Sequence, residues 1–183
     1  MKSESMRTAN LENCGVRLRS PEPDDIDALF RLENDESLWP VSCNVSPYSR
    51  HQLEKYIKES VHDPFAEHQV RFIIDVGGCV AGCVDLTDVD AVQSHAQVGI
   101  ALLAEYRHKG IASAALDMVC AHASGRLRLH QLVALVPVGN EDSIRLFRSA
   151  GFGNIGILRE WMWSGDHYED VSVLQKIFGK NQL

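Results

Sequence analysis

Gly99-Ile100-Ala101-Leu102-Leu103-Ala104-Glu105-Tyr106-Arg107-His108-Lys109-Gly110-Ile111-Ala112-Ser113 runs from an apolar segment, through a polar turn, into an Ala-rich stretch. Ala96 to Leu102 is almost continuously apolar and reads as a strand of the buried type. From Gly110 to about Ala123 the chain is rich in Ala, Leu, Met and Val and reads as a helix. A strand that feeds a helix N-terminus leaves successive backbone N–H groups without partners, and the helix dipole points at the same spot. Gly110 and the small Ala112 let a ligand come close to that backbone. The first turns of the helix offer few charges, so the ligand must bring the negative charge. The other reading is a strand–turn–helix junction that simply needs a glycine.

Upstream, Val16-Arg17-Leu18-Arg19 alternates as a strand and Ser20-Pro21-Glu22-Pro23 stops it. Ile26, Leu29 and Phe30 then follow at helical spacing, with Pro23 near the first turn. A second amphipathic helix is expected from Arg50 to Val61. Val70 to Val76 and Cys79 to Leu86 read as a hairpin around Gly77-Gly78, and Thr87 to Ser94 as a polar loop. Downstream, Gln131 to Val136 reads as a buried strand and Asn140 to Ala150 as a helix ended by Gly151. Ile155 to Trp163 and Tyr168 to Ile177 are two long strands around Ser164-Gly165-Asp166-His167. The order β-α-α-β-β-β-α-β-α-β-β predicts one mixed α/β (α+β) domain over residues 15–179, behind a flexible tail at 1–14.

The 183 residues suffice for one core without staples. No apolar run approaches the roughly 20 residues of a membrane span, and Met1 to Asn13 lacks a signal-peptide h-region. The expectation is a cytoplasmic protein with no membrane partner. A formal charge of -7 argues against nucleic acid, whose binders carry the opposite sign. Glu22 to Glu36 concentrates seven acids against one base, Arg31. Asp24, Asp25 and Asp27 read as early helix acids that favour the dipole. Glu33, Asp35 and Glu36 read equally as a solvated face or as a surface that attracts cations.

Five scattered cysteines without a Cys-x-x-Cys fit reduced thiols, and no metal site is expected. Cys79 and Cys83, four apart on one strand, should share a face. No G-x-x-x-x-G-K-[ST] occurs. Gly151-Phe152-Gly153-Asn154-Ile155-Gly156 matches G-x-G-x-x-G, but a helix precedes it and a strand follows, the reverse of the dinucleotide fingerprint.

The sequence resembles the GCN5-related N-acetyltransferase (GNAT) family, and within it the branch of spermidine acetyltransferases and ribosomal-protein N-terminal acetyltransferases. The resemblance is carried by Gly99 to Leu102 with Tyr106 to Ser113, by Asn140-Glu141-Asp142-Ser143-Ile144-Arg145-Leu146-Phe147, and by Ala150-Gly151-Phe152. Tyr168-Glu169-Asp170 also fits the branch. It implies a mostly antiparallel seven-stranded sheet, splayed at the cofactor site and flanked by about four helices. It also implies acetyl-CoA as cofactor and direct transfer of the acetyl group to a primary amine.

The pyrophosphate would sit on the amides of Arg107, His108, Lys109, Gly110, Ile111 and Ala112. The pantetheine arm would pair with Ile100 to Leu103, faced by Asn140, Ser143 and Phe147, with Arg148 near the phosphates. Asn140 and Ser143 read equally as a helix cap. The backbone N–H of Leu102 or Leu103 would stabilise the oxyanion. Where many relatives carry Glu and Tyr, this sequence has Gln97 and Phe147. The catalytic candidates are therefore Asp85, Glu105 and Tyr168. Glu33, Glu36, Trp39 and Asp85 would meet a cationic small-molecule acceptor, a polyamine such as spermidine. The alternatives are a protein N-terminal amine and a catalytically silent acyl-CoA binder. Homo-oligomerisation is allowed by the sequence but not dictated by it.

Overall fold

The structure is a computed structural model describing residues 11–13, 15–39, 46–60 and 63–179. The first ten residues of the expected tail lie outside the described residues, as does Cys14. Two short strands, β1 (Glu12–Asn13) and β2 (Val16–Arg19), lead through a 3-10 turn at Pro23–Asp25 into helix α1 (Ile26–Glu33). Helix α2 (Arg50–Glu59) follows, started by Ser49, whose hydroxyl accepts from the Gln52 N–H while the Gln52 side chain accepts from the Ser49 N–H. Strands β3 (Val70–Val76), β4 (Cys79–Asp90) and β5 (His95–Leu102) come next. A 3-10 turn (Ala104–Tyr106) joins β5 to α3 (Ile111–Gly125). Then β6 (Gln131–Pro137), α4 (Glu141–Ser149), β7 (Gly153–Trp163) and β8 (Tyr168–Ile177) complete the chain.

The strands form one sheet in the order β1-β2-β3-β4-β5-β6-β8-β7. It has eight strands where seven were expected. The additional strand is β1, whose Glu12 and Asn13 pair with Arg17 and Val16. Both residues are exposed and polar, so no apolar alternation announces them. Strand β4 also outruns its expected end at Leu86, because Thr87 pairs with Gln97 and Asp90 with His95. Much of the expected polar loop is therefore strand.

All neighbouring strands are antiparallel except β5 and β6. That parallel pair registers only at His95–Gln131, Ala96–Leu132 and Gln97–Val133. Beyond it the strands part, and Gly99 to Leu102 keep β4 as their sole neighbour. The sheet opens there into a V.

One face of the sheet carries the main core, in which Val84, Leu86 and Val98 meet Leu116 and Val119 of α3 and Phe147 of α4. On the other face Leu29 and Leu53 cover Ile73, while Leu32 packs with Cys83 and Leu103. Helices thus flank the sheet on both sides. A bulge interrupts the β3–β4 hairpin: Asp75 pairs with Val80 but Ile74 with Gly82, so Ala81 is the extra residue. It reverses the alternation along β4. Cys79 is exposed and Cys83 buried on the opposite face, contrary to the expectation that they share one.

Candidate functional site

The open half of β5 has a defined polarity. The Leu103 N–H donates to Ala81 O (2.9 Å), and Leu102 stands opposite Gly82. In an antiparallel ladder successive residues direct their backbone groups to alternate sides. Leu103 and Ala101 therefore face β4, while Ile100 and Leu102 direct N–H and C=O into the V. Of the two candidate oxyanion donors, Leu103 is committed to β4. Gly82 permits the close approach, since a Cβ there would lie 2.0 Å from Ala101 O.

Beyond the strand, Gly110 caps α3 in the left-handed region (φ 76°) and His108 also has a positive φ of 59°. Among the described residues the backbone N–H groups of His108 to Ser113 have no hydrogen-bond partner; the first paired amide is that of Ala114, on Gly110 O (3.1 Å). The space in front of Gly110 is open. Six amides at the start of a long helix fit a pyrophosphate. The turn expected from the sequence is thus assembled as backbone from His108 on, but the Arg107 N–H, also expected to be free, donates to Ala104 O (3.2 Å). Its side chains go elsewhere: Ile111 into the core, Lys109 over the Tyr106 ring, and Arg107 back onto Leu102 O (3.0 Å).

A cleft of about 640 Å³ continues from the open edge of β5. Its floor is Asp85 and Gln97 to Ala101, with Asn140, Ser143 and Phe147 along one wall. Those three recur at three- and four-residue spacing, so they form one stripe of α4. The Asn140 side chain also caps that helix, accepting from the Ser143 N–H (3.1 Å), so the helix-cap reading is met by residues that also line the cleft. Phe147 is buried edge-to-face against Phe152. Arg148 is exposed and does not line the cleft.

The opposite wall holds Glu33, Leu53 and Tyr56, and Trp161 and Met162 of β7 close one end. Glu33 and Asp85 do reach the cleft, but Arg71 lies between them. Its Nε and Nη2 donate to the two Asp85 oxygens (2.8 Å each), its Nη1 donates to Glu33 (2.5 Å), and its guanidinium faces the Tyr56 ring. Burial opposes the Arg71 charge, but the Asp85 and Glu33 carboxylates more than offset it and hold its pKa well above the ordinary value. Burial likewise pushes the Cys83 thiol up, so it is protonated and inert.

The remaining acceptor and catalytic candidates lie outside the cleft. Glu36 is exposed, and Trp39 spends its indole N–H on Glu33 O (3.0 Å) at the end of α1. Glu105 is exposed on Arg31 (2.9 Å), and its own amide and that guanidinium hold its carboxyl below the usual range. Tyr168 is exposed and packs on Trp163. Gln97, on the floor, donates its amide to Asp88. Elsewhere in the acidic stretch, Asp25 is buried on Arg19, Asp27 meets Arg50, and Asp35 lies 3.6 Å from Arg107. Arginines from four other parts of the chain therefore answer the stretch that reads as a cation-attracting surface. Sequence reasoning missed Arg71, Tyr56 and Asp88.

A family model for the acetyltransferase (GNAT) domain matches residues 16–153. The spermidine N(1)-acetyltransferase of Escherichia coli (strain K12) is 27% identical over 154 residues, 83% of this chain and 81% of that protein. The N-acetyltransferase YoaA of Bacillus subtilis (strain 168) is 31% identical over 150 residues, 82% of this chain and 79% of its own. Among solved structures, spermidine N-acetyltransferase from Vibrio cholerae in complex with CoA and spermine superposes with a TM-score of 0.82. It is 23% identical and covers 90% of this chain and 96% of its own.

Proposed function

The chain belongs to the GNAT acetyltransferase family, and from that premise we propose that its cleft acetylates a primary amine of a polyamine such as spermidine. The enzyme is an acetyl-CoA-dependent N-acetyltransferase. When bound, acetyl-CoA supplies the thioester that the amine attacks. The observation that carries the polyamine reading is one cleft that runs along the open strand edge at Gly99 to Ala101 and bears two carboxylates, Glu33 and Asp85.

In this reading the amides of His108 to Ala112 hold the pyrophosphate, and the backbone of Ile100 pairs with the pantetheine arm. The Leu102 N–H stabilises negative charge on the thioester oxygen as the amine nitrogen bonds to the carbonyl carbon. The C–S bond would break as the C–N bond forms, the amine proton passing to solvent and the departing thiolate taking one. Phe147 has no proton to give, so solvent supplies it. Asp85 is the sole carboxylate among the three catalytic candidates that faces the cleft, where Arg71 holds it.

Glu33, Asp85 and Arg71 are the charged residues among those lining the cleft, and together they leave one net negative charge for a cationic acceptor. The unordered spacing of the cysteines supports work in a reducing compartment such as the cytoplasm. Among the described residues no helix is long and apolar enough to cross a membrane.

The test is an amine panel with acetyl-CoA, followed by thiol release. Spermidine and related polyamines should be turned over in preference to amino acids, aminoglycosides and peptide N-termini. Preference for peptide N-termini would overturn the acceptor assignment, and flat rates across the panel would favour the silent binder.

A further inference from the structure

The Arg107 side chain takes no part in the anion site, yet it is tightly placed. Its Nε donates to Leu102 O at 3.0 Å. Its Nη2 is buried, has no hydrogen-bond partner among the described residues, and lies 3.6 Å from an Asp35 oxygen. Asp35 is itself anchored, since the Ser37 N–H and hydroxyl both donate to its Oδ1 (3.0 and 2.6 Å). Leu102 stands at the end of β5, beside the open half of the sheet. Asp35 follows α1 on the acceptor side. One guanidinium spans both.

We infer that Arg107 is a positioning residue for acetyl transfer, holding Leu102 so that its N–H faces the thioester oxygen. This inference deepens the proposed function and rests on its assignment of Leu102. The physical argument starts from what Leu102 lacks. Strand β6 has already parted from β5, and the last bond to β4 is made one residue later, by Leu103. The backbone groups of Leu102 that face the V therefore have no strand to hold them.

A donor for developing charge is effective only when it is oriented before the charge appears. The carbonyl that accepts from Arg107 belongs to the same residue as that N–H, and both point to the same side of the strand. Fixing one fixes the other. The charge-assisted bond to a carbonyl is stronger than a neutral one, and the guanidinium fork allows a second anchor at Asp35. A side chain so engaged is not at the phosphates, which the amides of the turn serve.

The experiment compares the wild-type enzyme with Arg107→Ala, Arg107→Lys and Asp35→Asn, each saturated with acetyl-CoA. Loss of an oriented donor should lower kcat by about tenfold to a hundredfold while KM for acetyl-CoA stays within about twofold. Arg107→Lys should recover part of that loss. A second readout needs no acceptor: the infrared carbonyl stretch of bound acetyl-CoA carrying 13C at the acetyl carbonyl. In the wild type the band should lie below its value in water. In Arg107→Ala it should return toward that value, and in Asp35→Asn part of the way.

If Arg107→Ala does not fold, the Asp35→Asn band decides: a partial return supports the inference, and an unmoved band overturns it. A large rise in KM for acetyl-CoA with kcat retained would also overturn it, by making Arg107 a phosphate ligand. Should the wild type and Arg107→Ala bands differ as expected while no polyamine is acetylated, the acceptor assignment fails and the role of Arg107 stands.

Discussion

Arg71 is the residue on which the acceptor side of the cleft turns. With Glu33 and Asp85 it forms a partly buried group of three charges, and removing one partner from such a group weakens the support of the others. Arg71→Met should therefore cost about 3–5 kcal/mol in denaturant unfolding. Arg71→Met combined with Glu33→Gln and Asp85→Asn should recover much of that loss; no recovery would show that the ring contact with Tyr56 matters more. Phe147 makes a different point. It is buried against Phe152 but lines the cleft, so on the proposed mechanism Phe147→Tyr would add a hydroxyl near the departing thiolate. The variant should keep or raise kcat, and a large fall in a folded protein would mean that no hydroxyl fits there. The Arg71–Asp85 pair was hidden by the bulge at Ala81. Counting outward from Gly77-Gly78 in plain register sets Arg71 opposite Val84, and one extra residue moves it opposite Asp85.

At the scale of elements, the strand–turn–helix junction is the part most open to a direct test. Gly110→Val puts a β-branched residue at φ 76° and fills open space in front of the free amides. Acetyl-CoA binding measured by calorimetry should weaken by about tenfold or more, and unchanged affinity would place the anion site elsewhere. This junction was legible because composition and order suffice to define it. An apolar strand, a glycine and an Ala-rich helix admit one local geometry. The strand edge was legible for the same reason, and so was the α4 stripe of Asn140, Ser143 and Phe147. The acceptor wall was not. Its charges were visible, but their partners sit on elements far apart in sequence: Arg71 on β3 serves Glu33 on α1, and Arg107 serves Asp35. Such pairings depend on packing that no local pattern encodes. Glu105 and Tyr168 misled for a related reason. Each sits at the right element end, and neither the 3-10 turn nor the start of β8 directs it into the cleft.

The molecule as a whole should respond to acid in two stages. Burial, and then the charge of Arg126, lowers the His122 pKa below its ordinary 6.5. Below that pH the unfolded chain takes a proton that folded His122 still refuses, so stability falls as pH drops through about 6.5. For Asp35 the Ser37 hydroxyl, and for Asp75 the Arg19 guanidinium working against burial, hold the carboxyls below 3.8. Their contribution is complete above 3.8 and is lost as pH falls beneath it. Urea midpoints from pH 8 to 3 should show both stages, and His122→Gln should flatten the first; a level curve between pH 7 and 5 would refute this account. The parting of β5 from β6 bears on the mechanics of the fold as well. Among the described residues the backbone seam between β1 to β5 and β6 to β8 is short: three rungs, with the His130 and Gln131 N–H groups donating to Ser94 O beside them. Native-state hydrogen exchange should therefore report two cooperative units with separate opening energies. If acetyl-CoA lies along the unzipped half of β5 and against α4 as proposed, it would act as a rivet, slowing exchange in both units together.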